Sequence, residues 1–391
     1  MCGLALMTLA LVSFVLRGLQ DIRDRSEIEQ LTKHMKTICV GRFLIDLPAS
    51  ASMTRRYESV SGVDIFSTNG ETEEEFLQRL AATELEMSRE MNRDGQPSLE
   101  SSKDIALDAA RGKVMVYDRR RTKVLEDDEF VFSENVAFLG MVRLADVSIT
   151  GEVEWLAPRY IESVIGIFER IRPLKEREIP QESGFCLNHA IVQDPYEHDG
   201  VESAVLFAGI PGYPDLNIVF SSMAGTNPAP GLLERNARAA SREPFFMRLA
   251  FSTLHEGQRT INSLPGEELI MRIRELNWTT RYAFQWEMPG RQDDVYAPVL
   301  KLELESGTNP VAGGKPVNSS LSRAAMTYLW QKIVSSIRLR PTATSMPKPI
   351  ARPVSAYTTR REQEKSRNSS LIDMVEAHTA TAVRHFPHAP T

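Results

Sequence analysis

Two stretches of the sequence open alike, ICVGRFLIDLP at residues 38–48 and GFCLNHAIVQDP at residues 184–195. Each is an apolar, strand-like run that carries a cysteine and ends at proline. Two later stretches close alike, YIESVIGIFERIRP at residues 160–173 and YLWQKIVSSIRLRP at residues 328–341, where a helical pattern runs into Arg-Pro. Because this frame occurs twice, the sequence predicts two related modules. The alternative is that amphipathic helices ending at proline often look alike.

The closing stretches align at a constant offset along the chain. The matching pairs are Tyr160 with Tyr328, Ile161 with Leu329, Ile165 with Ile333, Arg170 with Arg338, Arg172 with Arg340 and Pro173 with Pro341. The length of 391 residues agrees with two modules, since one domain takes roughly 150 residues. We therefore expect modules at residues 36–178 and 179–341.

Composition describes an ordinary folded protein, with 42% hydrophobic and 25% charged residues. The net charge of -6 gives no sign of a nucleic-acid partner, because such proteins carry clustered basic patches that displace counterions from phosphates. The 3 cysteines are too few for a disulfide scaffold.

The N-terminus predicts export, because Leu4 to Leu16 is an apolar run bounded by Arg17. As a helix it would be about 20 Å long, short of the roughly 30 Å hydrocarbon core, which suits a signal sequence better than a permanent span. No basic residue precedes the run and no small-x-small cleavage site follows it. An inner-membrane anchor and a misplaced start codon therefore stay open. Residues 21–34 are charged and are expected to form a spacer, so residues 1–35 are set apart from the first module.

The first module combines strands with amphipathic helices. Thr72 with Glu75 makes a capping box, and apolar residues follow it at helical spacing, namely Phe76, Leu77, Leu80, Ala81 and Leu85. Strand-like runs cover residues 113–117, 129–139 and 141–149, with Gly140 as the expected turn. A helix with Val164 and Phe168 on its apolar stripe closes the module. Strands in runs with segregated helices predict an α+β fold.

The second module has the clearest strand pattern in the chain. Thr280, Tyr282, Phe284 and Trp286 alternate with Arg281, Ala283, Gln285 and Glu287, and Leu300, Leu302 and Leu304 alternate with Lys301, Glu303 and Glu305. This pattern predicts an antiparallel pair with a buried aromatic face. The closing helix is expected to bury Met326, Leu329, Trp330, Ile333 and Ile337. Residues 342–391 are rich in Pro, Thr, Ser, Arg and Lys, and this composition predicts a disordered tail.

Motifs of catalysis and cofactor binding are absent from the sequence. There is no GxSxG elbow, HExxH helix, GxxxxGK loop or GxGxxG fingerprint, so no catalytic, cofactor-binding or metal-ligating residue is predicted. Tyr328 and Lys332 satisfy a YxxxK spacing, which without a dinucleotide fold is interpreted as accidental.

Two polar clusters were weighed as sites. The imidazoles and carboxylates of His189, Asp194, Glu197, His198 and Asp199 are close in sequence, but without tight ligand spacing they favour a polar loop around Pro195 over a zinc site. The acidic run of Glu126, Asp127, Asp128 and Glu129 favours a solvated loop over a patch that binds a partner.

Cys39 and Cys186 lie on the opening strands of the two modules. Export would place both in an oxidising compartment, where a disulfide would close a loop of about 147 residues and contribute nearly 5 kcal/mol in the chain-entropy model. Buried free thiols are the alternative, and the residues alone leave both readings open.

The motifs together resemble a bacterial family of immunity proteins that neutralise lipase effectors delivered by type VI secretion. The resemblance rests on both openings, on INSLPGEEL, FQWEMPG and LKLELESG, and on the final SIRLRP, and it runs from about Lys36 to Pro341. It implies two mostly antiparallel α+β domains that form a clamp around the cognate phospholipase in the periplasm, with no cofactor and no turnover.

Six residues of these motifs are interpreted as fold-defining rather than as direct contacts. They are Gly41 and Arg42 in the first opening, and Pro265, Gly266, Glu267 and Glu268, which are expected to form a turn followed by a strand. A single sequence does not select the residues that contact the partner.

Two other functions stay open at this point. An exported hydrolase could carry a nucleophile and base far apart in sequence, because catalytic triads need no fixed order. An envelope-anchored structural protein would use the N-terminal apolar run as its anchor.

Overall fold

The computed structural model describes residues 18–342 apart from 108–109, 127–128, 196–200, 227–229, 243 and 245–248. The predicted signal segment and the predicted tail beyond Thr342 lie outside the described residues. The helices are α1 (18–31), α2 (Glu73–Arg89), α3 (Ile161–Phe168), α4 (Leu232–Arg242) and α5 (Arg323–Val334), with a short 3-10 turn at Pro158–Tyr160.

Strands dominate the fold. They are β1 (Met35–Val40), β2 (Phe43–Pro48), β3 (Ser52–Val60), β4 (Val63–Asn69), β5 (Leu99–Leu107), β6 (Ala110–Glu126), β7 (Glu129–Leu144), β8 (Val147–Leu156), β9 (Ile171–Pro173), β10 (Gly184–Cys186), β11 (Ala190–Gln193), β12 (Glu202–Ile210), β13 (Tyr213–Met223), β14 (Phe251–Ile261), β15 (Leu264–Arg274), β16 (Thr280–Met288), β17 (Val299–Ser306) and β18 (Arg338–Leu339).

One large sheet crosses both halves of the chain. Its 12 strands run in the order β14-β15-β16-β17-β13-β12-β3-β4-β8-β7-β6-β5, and neighbouring strands are antiparallel. The predicted α+β class with mostly antiparallel sheet is confirmed. The sheets of the two halves are not separate, however, because β3 pairs with β12 from Val60 to Ser52. This pairing satisfies backbone groups that two separate half-sheets would expose at their edges.

The two faces of the large sheet carry different helices. On one face α3 and α5 pack into a continuous core that includes Phe138, Phe168, Phe284 and Trp330. On the opposite face α2 covers one end of the sheet through Phe76 and Leu80, and α4 covers the other end. The predicted buried set of the closing helix is confirmed, since all five of its side chains are fully buried.

The two small sheets exchange strands between the halves. β18, which closes the second half, pairs with β2 of the first opening. β9, which closes the first half, pairs with β11 of the second opening. The two small sheets therefore have the same topology. Their registers differ by two residues, since Leu44 pairs with Arg338 and Ile191 pairs with Arg172. Each half is completed by the end of the other.

The two cysteines lie where the openings meet. Their sulfur atoms are 2.08 Å apart and their Cα atoms 5.9 Å apart, which is the geometry of a disulfide bond. Both side chains are buried, and an isolated β-bridge joins Gly41 to Cys186. Gly41 itself has a φ of 58°, and a Cβ there would lie 3.0 Å from the Phe185 ring.

The expected turn at Gly140 is wrong, because this glycine lies inside β7. It pairs with Gly151 of β8, and the Phe168 ring of α3 rests on both. A Cβ added at Gly140 would lie 2.4 Å from Phe168, and one at Gly151 would lie 2.6 Å from it. The glycine therefore marks a close approach of helix to sheet.

The expected spacer at residues 21–34 is also wrong, because most of it belongs to α1. Ile28 is fully buried and Asp24 is 1% exposed. The Asp24 carboxylate accepts a hydrogen bond of 3.0 Å from the Ser322 amide, at the N-cap of α5. Buried Ile28, partly buried Leu31 and the Asp24 carboxylate dock this helix, a pattern that hydrophobic periodicity does not detect.

Other local predictions are confirmed. Thr72 and Glu75 make both hydrogen bonds of a capping box at the start of α2. Of the apolar residues that follow, Phe76 and Leu80 are buried, whereas Leu77 and Leu85 are 43% and 49% exposed. β16 and β17 form the predicted antiparallel pair, with Phe284 and Trp286 fully buried.

The Gly140 contact makes a paired prediction. Gly140→Ala should lower the free energy of unfolding by about 1–3 kcal/mol, because the added methyl group overpacks the Phe168 contact. Gly166→Ala is the matched control, since nothing lies within 4 Å of a Cβ at that helical position, and it should be neutral or stabilising by up to about 1 kcal/mol. Urea unfolding of both variants measures the difference, and equal stabilities would contradict the packing described.

The cysteine geometry makes a second prediction. A Cys39→Ser, Cys186→Ser variant should lose about 2–5 kcal/mol of unfolding free energy, because the unfolded chain regains the entropy that a long closed loop removes. The wild-type protein should lose a similar amount in reductant. Peptide mapping without reduction should recover the two cysteines linked. Recovery of both as alkylated free thiols from unreduced, denatured protein would contradict the pairing.

Candidate functional site

Arg42 links the first opening to the second half. Its side chain is 3% exposed, donates hydrogen bonds of 2.7 and 2.6 Å to the Glu202 carboxylate and of 2.8 Å to Asp194, and stacks 4.8 Å from the Tyr296 ring. Each partner belongs to the second half of the chain. Such a buried guanidinium is stable only when its donors are matched, so the contact fixes the relative position of the halves.

Arg340 and Arg172, the counterparts in the two closing stretches, both hold the segment that joins the halves. Arg340 donates hydrogen bonds to the backbone carbonyls of Pro180, Glu182 and Gly184, at 2.8, 2.6 and 2.6 Å. Burial lowers the pKa of Arg340 to about 10, and the neighbouring Arg42 charge acts in the same direction. Arg172 holds the carboxylate of Glu178 at 2.8 Å and also pairs with Glu182. The segment that joins the halves is therefore held by side chains from both closing stretches.

Glu267 and Glu268 of the PGEE motif each hold a helix. The turn here is formed by Asn262 and Ser263, with φ of 45° and 70°, which is a two-residue hairpin turn. Pro265 and Gly266 therefore lie in β15, and their expected role as the turn is wrong. Glu268 accepts a 2.6 Å hydrogen bond from the Trp330 indole of α5.

The neighbouring residues of this motif reach the opposite face. The Glu267 carboxylate accepts a 2.9 Å hydrogen bond from the Leu233 amide in α4. A Cβ at Gly266 would lie 2.6 Å from the Trp286 ring, so this position admits only glycine without a shift. These contacts support a fold-defining role, which stays a proposal.

The described members of the first polar cluster make structural contacts, whereas Asp127 and Asp128 of the acidic run lie outside the described residues. Asp194 is bound by Arg42 and accepts a 2.5 Å hydrogen bond from Ser183. His189 has a φ of 70°, and burial lowers its pKa. Glu197, His198 and Asp199 lie outside the described residues. Within the part of the chain that the structure describes, no group of three or more His, Cys, Asp or Glu side chains could hold a metal ion.

The YxxxK pair lies on α5, where the Lys332 ammonium is 5.4 Å from the Tyr328 ring centroid and the Arg25 guanidinium is 5.6 Å from it. Both are cation–π contacts, the first within α5 and the second between α5 and α1. They give the pair a structural role.

β3 and β4 share only a short ladder and diverge beyond it. β3 and β4 pair only from Glu58 with Ile65 to Val60 with Val63, whereas β3 continues along β12 and β4 continues along β8. At the point of divergence Glu58 accepts a 3.0 Å hydrogen bond from the Asn188 amide and pairs with Arg56 at 2.7 Å. Burial raises the pKa of Glu58, and the charge of Arg56 opposes that shift.

Accessible apolar side chains lie at this divergence, on the sheet face opposite the main core. We call them the open face: Tyr57 of β3, Phe66 of β4, Phe207 of β12 and Val219 of β13. Phe66 is 44% exposed and the others are half-buried. Their neighbours in sequence, such as Ile65, Leu206 and Phe220, belong to the main core, and alternation along a strand therefore turns the open face the other way.

Helices of opposite charge flank the open face along the sheet. α2, over the β5-β6-β7 end, begins with the exposed carboxylates of Glu73, Glu74 and Glu75. α4, over β15, carries exposed Arg238 and Arg242, and its Arg235 is bound to Glu287 at 2.6 Å. The arrangement is a partly apolar floor between an acidic and a basic flank. It suits the binding of a protein surface rather than the binding of a small molecule in an enclosed pocket.

The sequence did not predict the open face or the cluster of contacts around Arg42. Phe66 and Phe207 lie in strands that read as ordinary core, and only the pairing of β3 with β12 brings them to one surface. Arg42 was singled out within a motif, but its partners are more than 150 positions away. The Asp24, Ile28 and Thr32 spacing was the one sequence signal for α1.

Two family models match the chain. The N-terminal domain of Tle cognate immunity protein 4 matches residues 36–140, and the C-terminal domain of the same protein matches residues 178–342. No protein among the curated sequences matches.

Solved structures share the fold. The apo structure of the immunity protein TplEi of the type VI secretion system from Pseudomonas aeruginosa has a TM-score of 0.63 at 24% identity, covering 80% of this chain and 100% of that chain. The crystal structure of a Tle4–Tli4 complex has a TM-score of 0.62 at 23% identity, covering 80% and 99%. TplEi complexed with "L" peptide has a TM-score of 0.58 at 24% identity, covering 79% and 99%.

The matched ranges include both openings, most strands of the large sheet and the Arg-Pro end of the second closing stretch, while residues 141–177, with β8 and the first closing stretch, lie between them. The resemblance expected from the motifs is therefore confirmed over most of the chain. This protein belongs to the Tle cognate immunity protein 4 family, the two-domain immunity proteins of type VI lipase effectors.

Proposed function

We propose that this protein protects its cell by binding a cognate type VI phospholipase across the open face and holding the enzyme inactive, without any turnover of its own. The observation that carries the proposal is the match of both halves to one immunity family. A structure of the related pair, Tle4 with Tli4, supports an effector protein as the partner.

The open face is the surface best placed to receive that partner. The opposite face of the sheet is filled by α3, α5 and the small sheets, which bury its aromatic side chains in the main core. The open face instead presents accessible apolar side chains between two flanking helices. A surface with an apolar centre and a charged rim has the composition of a protein–protein interface.

The interlocked halves hold the two flanks of the predicted clamp in a fixed relation. Arg42 and the exchanged strands join the halves at several independent points. A preformed binding surface loses little conformational entropy when its partner binds, and this favours affinity. We infer that the protein acts as a rigid clamp, with α2 and α4 as its flanks.

Inhibition then follows from the behaviour of lipases. A lipase must expose an apolar mouth, usually by moving a lid, before it engages lipid, and such lid motions gate activity. A protein that binds the closed form shifts the equilibrium towards that form by its differential affinity. The clamp is proposed to hold the lid of the effector shut.

The periplasm is the proposed location. The apolar run Leu4–Leu16 would direct export, and the buried cysteine pair suits an oxidising compartment. Among the described residues, no helix is both long enough and apolar enough to cross a membrane.

The open face can be tested with a matched pair of substitutions. Phe66→Lys should weaken binding of the cognate lipase, with the catalytic serine of that enzyme replaced by alanine. The expected loss is about 30-fold or more, because a charge replaces a central apolar contact. The fold should tolerate the lysine, because Asp64 and the exposed Glu152 lie opposite each other on β4 and β8 and place two carboxylates near position 66. Titration calorimetry measures the dissociation constant.

Met53→Lys is the control for this test. Met53 is 42% exposed but pairs with Ala208, whose side chain lies in the main core, and so it points to the other face. It should bind the lipase like the wild type. If both variants bind the lipase with equal affinity and keep the wild-type melting temperature, the open face is not the interface.

The inhibitor role itself has a separate test. Wild-type protein at micromolar concentration should co-purify with the inactive lipase and should abolish the phospholipase activity of the active enzyme at a molar ratio near one. The purified protein alone should hydrolyse neither esters nor phospholipids. Absence of the complex, or turnover by the protein alone, would refute the proposal and favour the exported-hydrolase alternative.

A further inference from the structure

The hairpin of β6 and β7 extends beyond the large sheet. β5 pairs with β6 only as far as Tyr117, and β8 pairs with β7 only as far as Val136. From Arg120 with Asn135 to Glu126 with Glu129, the two strands pair only with each other. At about 3.4 Å per residue this segment, which we call the arm, reaches about 20 Å past its neighbours.

The root of the arm is fixed by charged contacts. Arg119 binds both carboxylate oxygens of Glu100 on β5, at 2.7 and 2.6 Å. Arg120 donates a 2.7 Å hydrogen bond to Asp118, and its guanidinium stacks 4.8 Å from the Trp155 ring. An isolated two-stranded ribbon is marginally stable in water, so these contacts give the arm a defined direction.

One face of the arm carries two exposed aromatic rings. Phe130 is 65% exposed and Phe132 is 78% exposed, and their spacing of two residues puts both on the same side of β7. The Lys123 ammonium lies 4.4 Å from the Phe130 ring. Exposed aromatic side chains on a supported element are typical anchors of protein–protein interfaces.

The described charges of the arm favour a protein partner over a membrane. Arg119 is bound to Glu100, Arg120 to Asp118 and Arg121 to Glu134, and the Lys123 ammonium lies over the Phe130 ring. Membrane surfaces are anionic and attract basic segments, and this pairing reduces such attraction. The chemistry that fits is an apolar protein surface.

We propose that Phe130 and Phe132 dock the arm onto an apolar surface of the lipase effector, as a second contact outside the open face. This inference rests on the proposed function, because it takes the lipase as the partner.

The test uses two pairs of exposed apolar residues. A Phe130→Ser, Phe132→Ser variant should raise the dissociation constant for the serine-to-alanine lipase by about 30-fold or more, with most of the change in the dissociation rate. The control is Leu276→Ser, Trp278→Ser, because these residues have the same spacing and are 67% and 76% exposed. The control should bind like the wild type, and both variants should keep the wild-type melting temperature.

The outcomes separate this inference from the proposed function. If the wild type binds the lipase and the phenylalanine variant binds equally well, the arm contact is refuted while the inhibitor role stands. Equal loss in the control pair also refutes it. If the wild type does not bind the lipase, the proposed function itself fails. Flotation with phosphatidylglycerol vesicles, or a dimer in sedimentation, that depends on the two phenylalanines would overturn the lipase as the occupant.

Discussion

The reciprocal exchange of closing strands between the halves is the constraint on which the rest of the structure depends. β18 completes the first opening and β9 completes the second, so neither half can form its small sheet alone. Arg42 and the cysteine pair lie at the same junction, and Arg340 joins the closing strand to the connecting segment. The two modules are therefore not independent domains joined by a linker, but one interlocked frame.

This frame determines which surfaces are available for function. The exchanged strands, α3 and α5 fill one face of the large sheet, and their aromatic side chains form a continuous core. The opposite face keeps Phe66 and its neighbours accessible between an acidic and a basic helix. The arm extends from one end of the same sheet. The proposed inhibitor role needs a stable shape more than it needs reactive groups, and the buried polar residues described above make packing and capping contacts.

Local features were predictable from the sequence because they rest on short-range physics. The capping box at Thr72, the alternation from Thr280 to Trp286 and the apolar stripe of α5 each depend on spacing within a few residues. Gly140 shows the limit of short-range reasoning. A glycine between two strand-like runs predicts a turn, and only the complete fold shows that the Phe168 ring packs where a side chain at position 140 would lie. The α1 helix was not predicted because Asp24, Ile28 and the contact of Arg25 with Tyr328 dock it without apolar periodicity in the sequence.

Long-range features could not be predicted, since they depend on which segments pair. The repeated frame was visible in the sequence, but the exchange of its ends was not, because Leu44 and Arg338 are brought together only by the complete fold. The partners of Arg42 were hidden for the same reason. The family resemblance indicated a function that residue chemistry alone did not, and the structure adds the surface on which that function is proposed to act.

The claim that most needs testing is that the exchanged strands make the two halves a single folding unit. Native-state amide hydrogen exchange measures this directly, since it reports the free energy of opening for each segment. The account predicts that amides in β2, β9, β11 and β18 exchange with one common free energy, equal to that of global unfolding. Separate opening of the two halves, each with its own lower free energy, would contradict it.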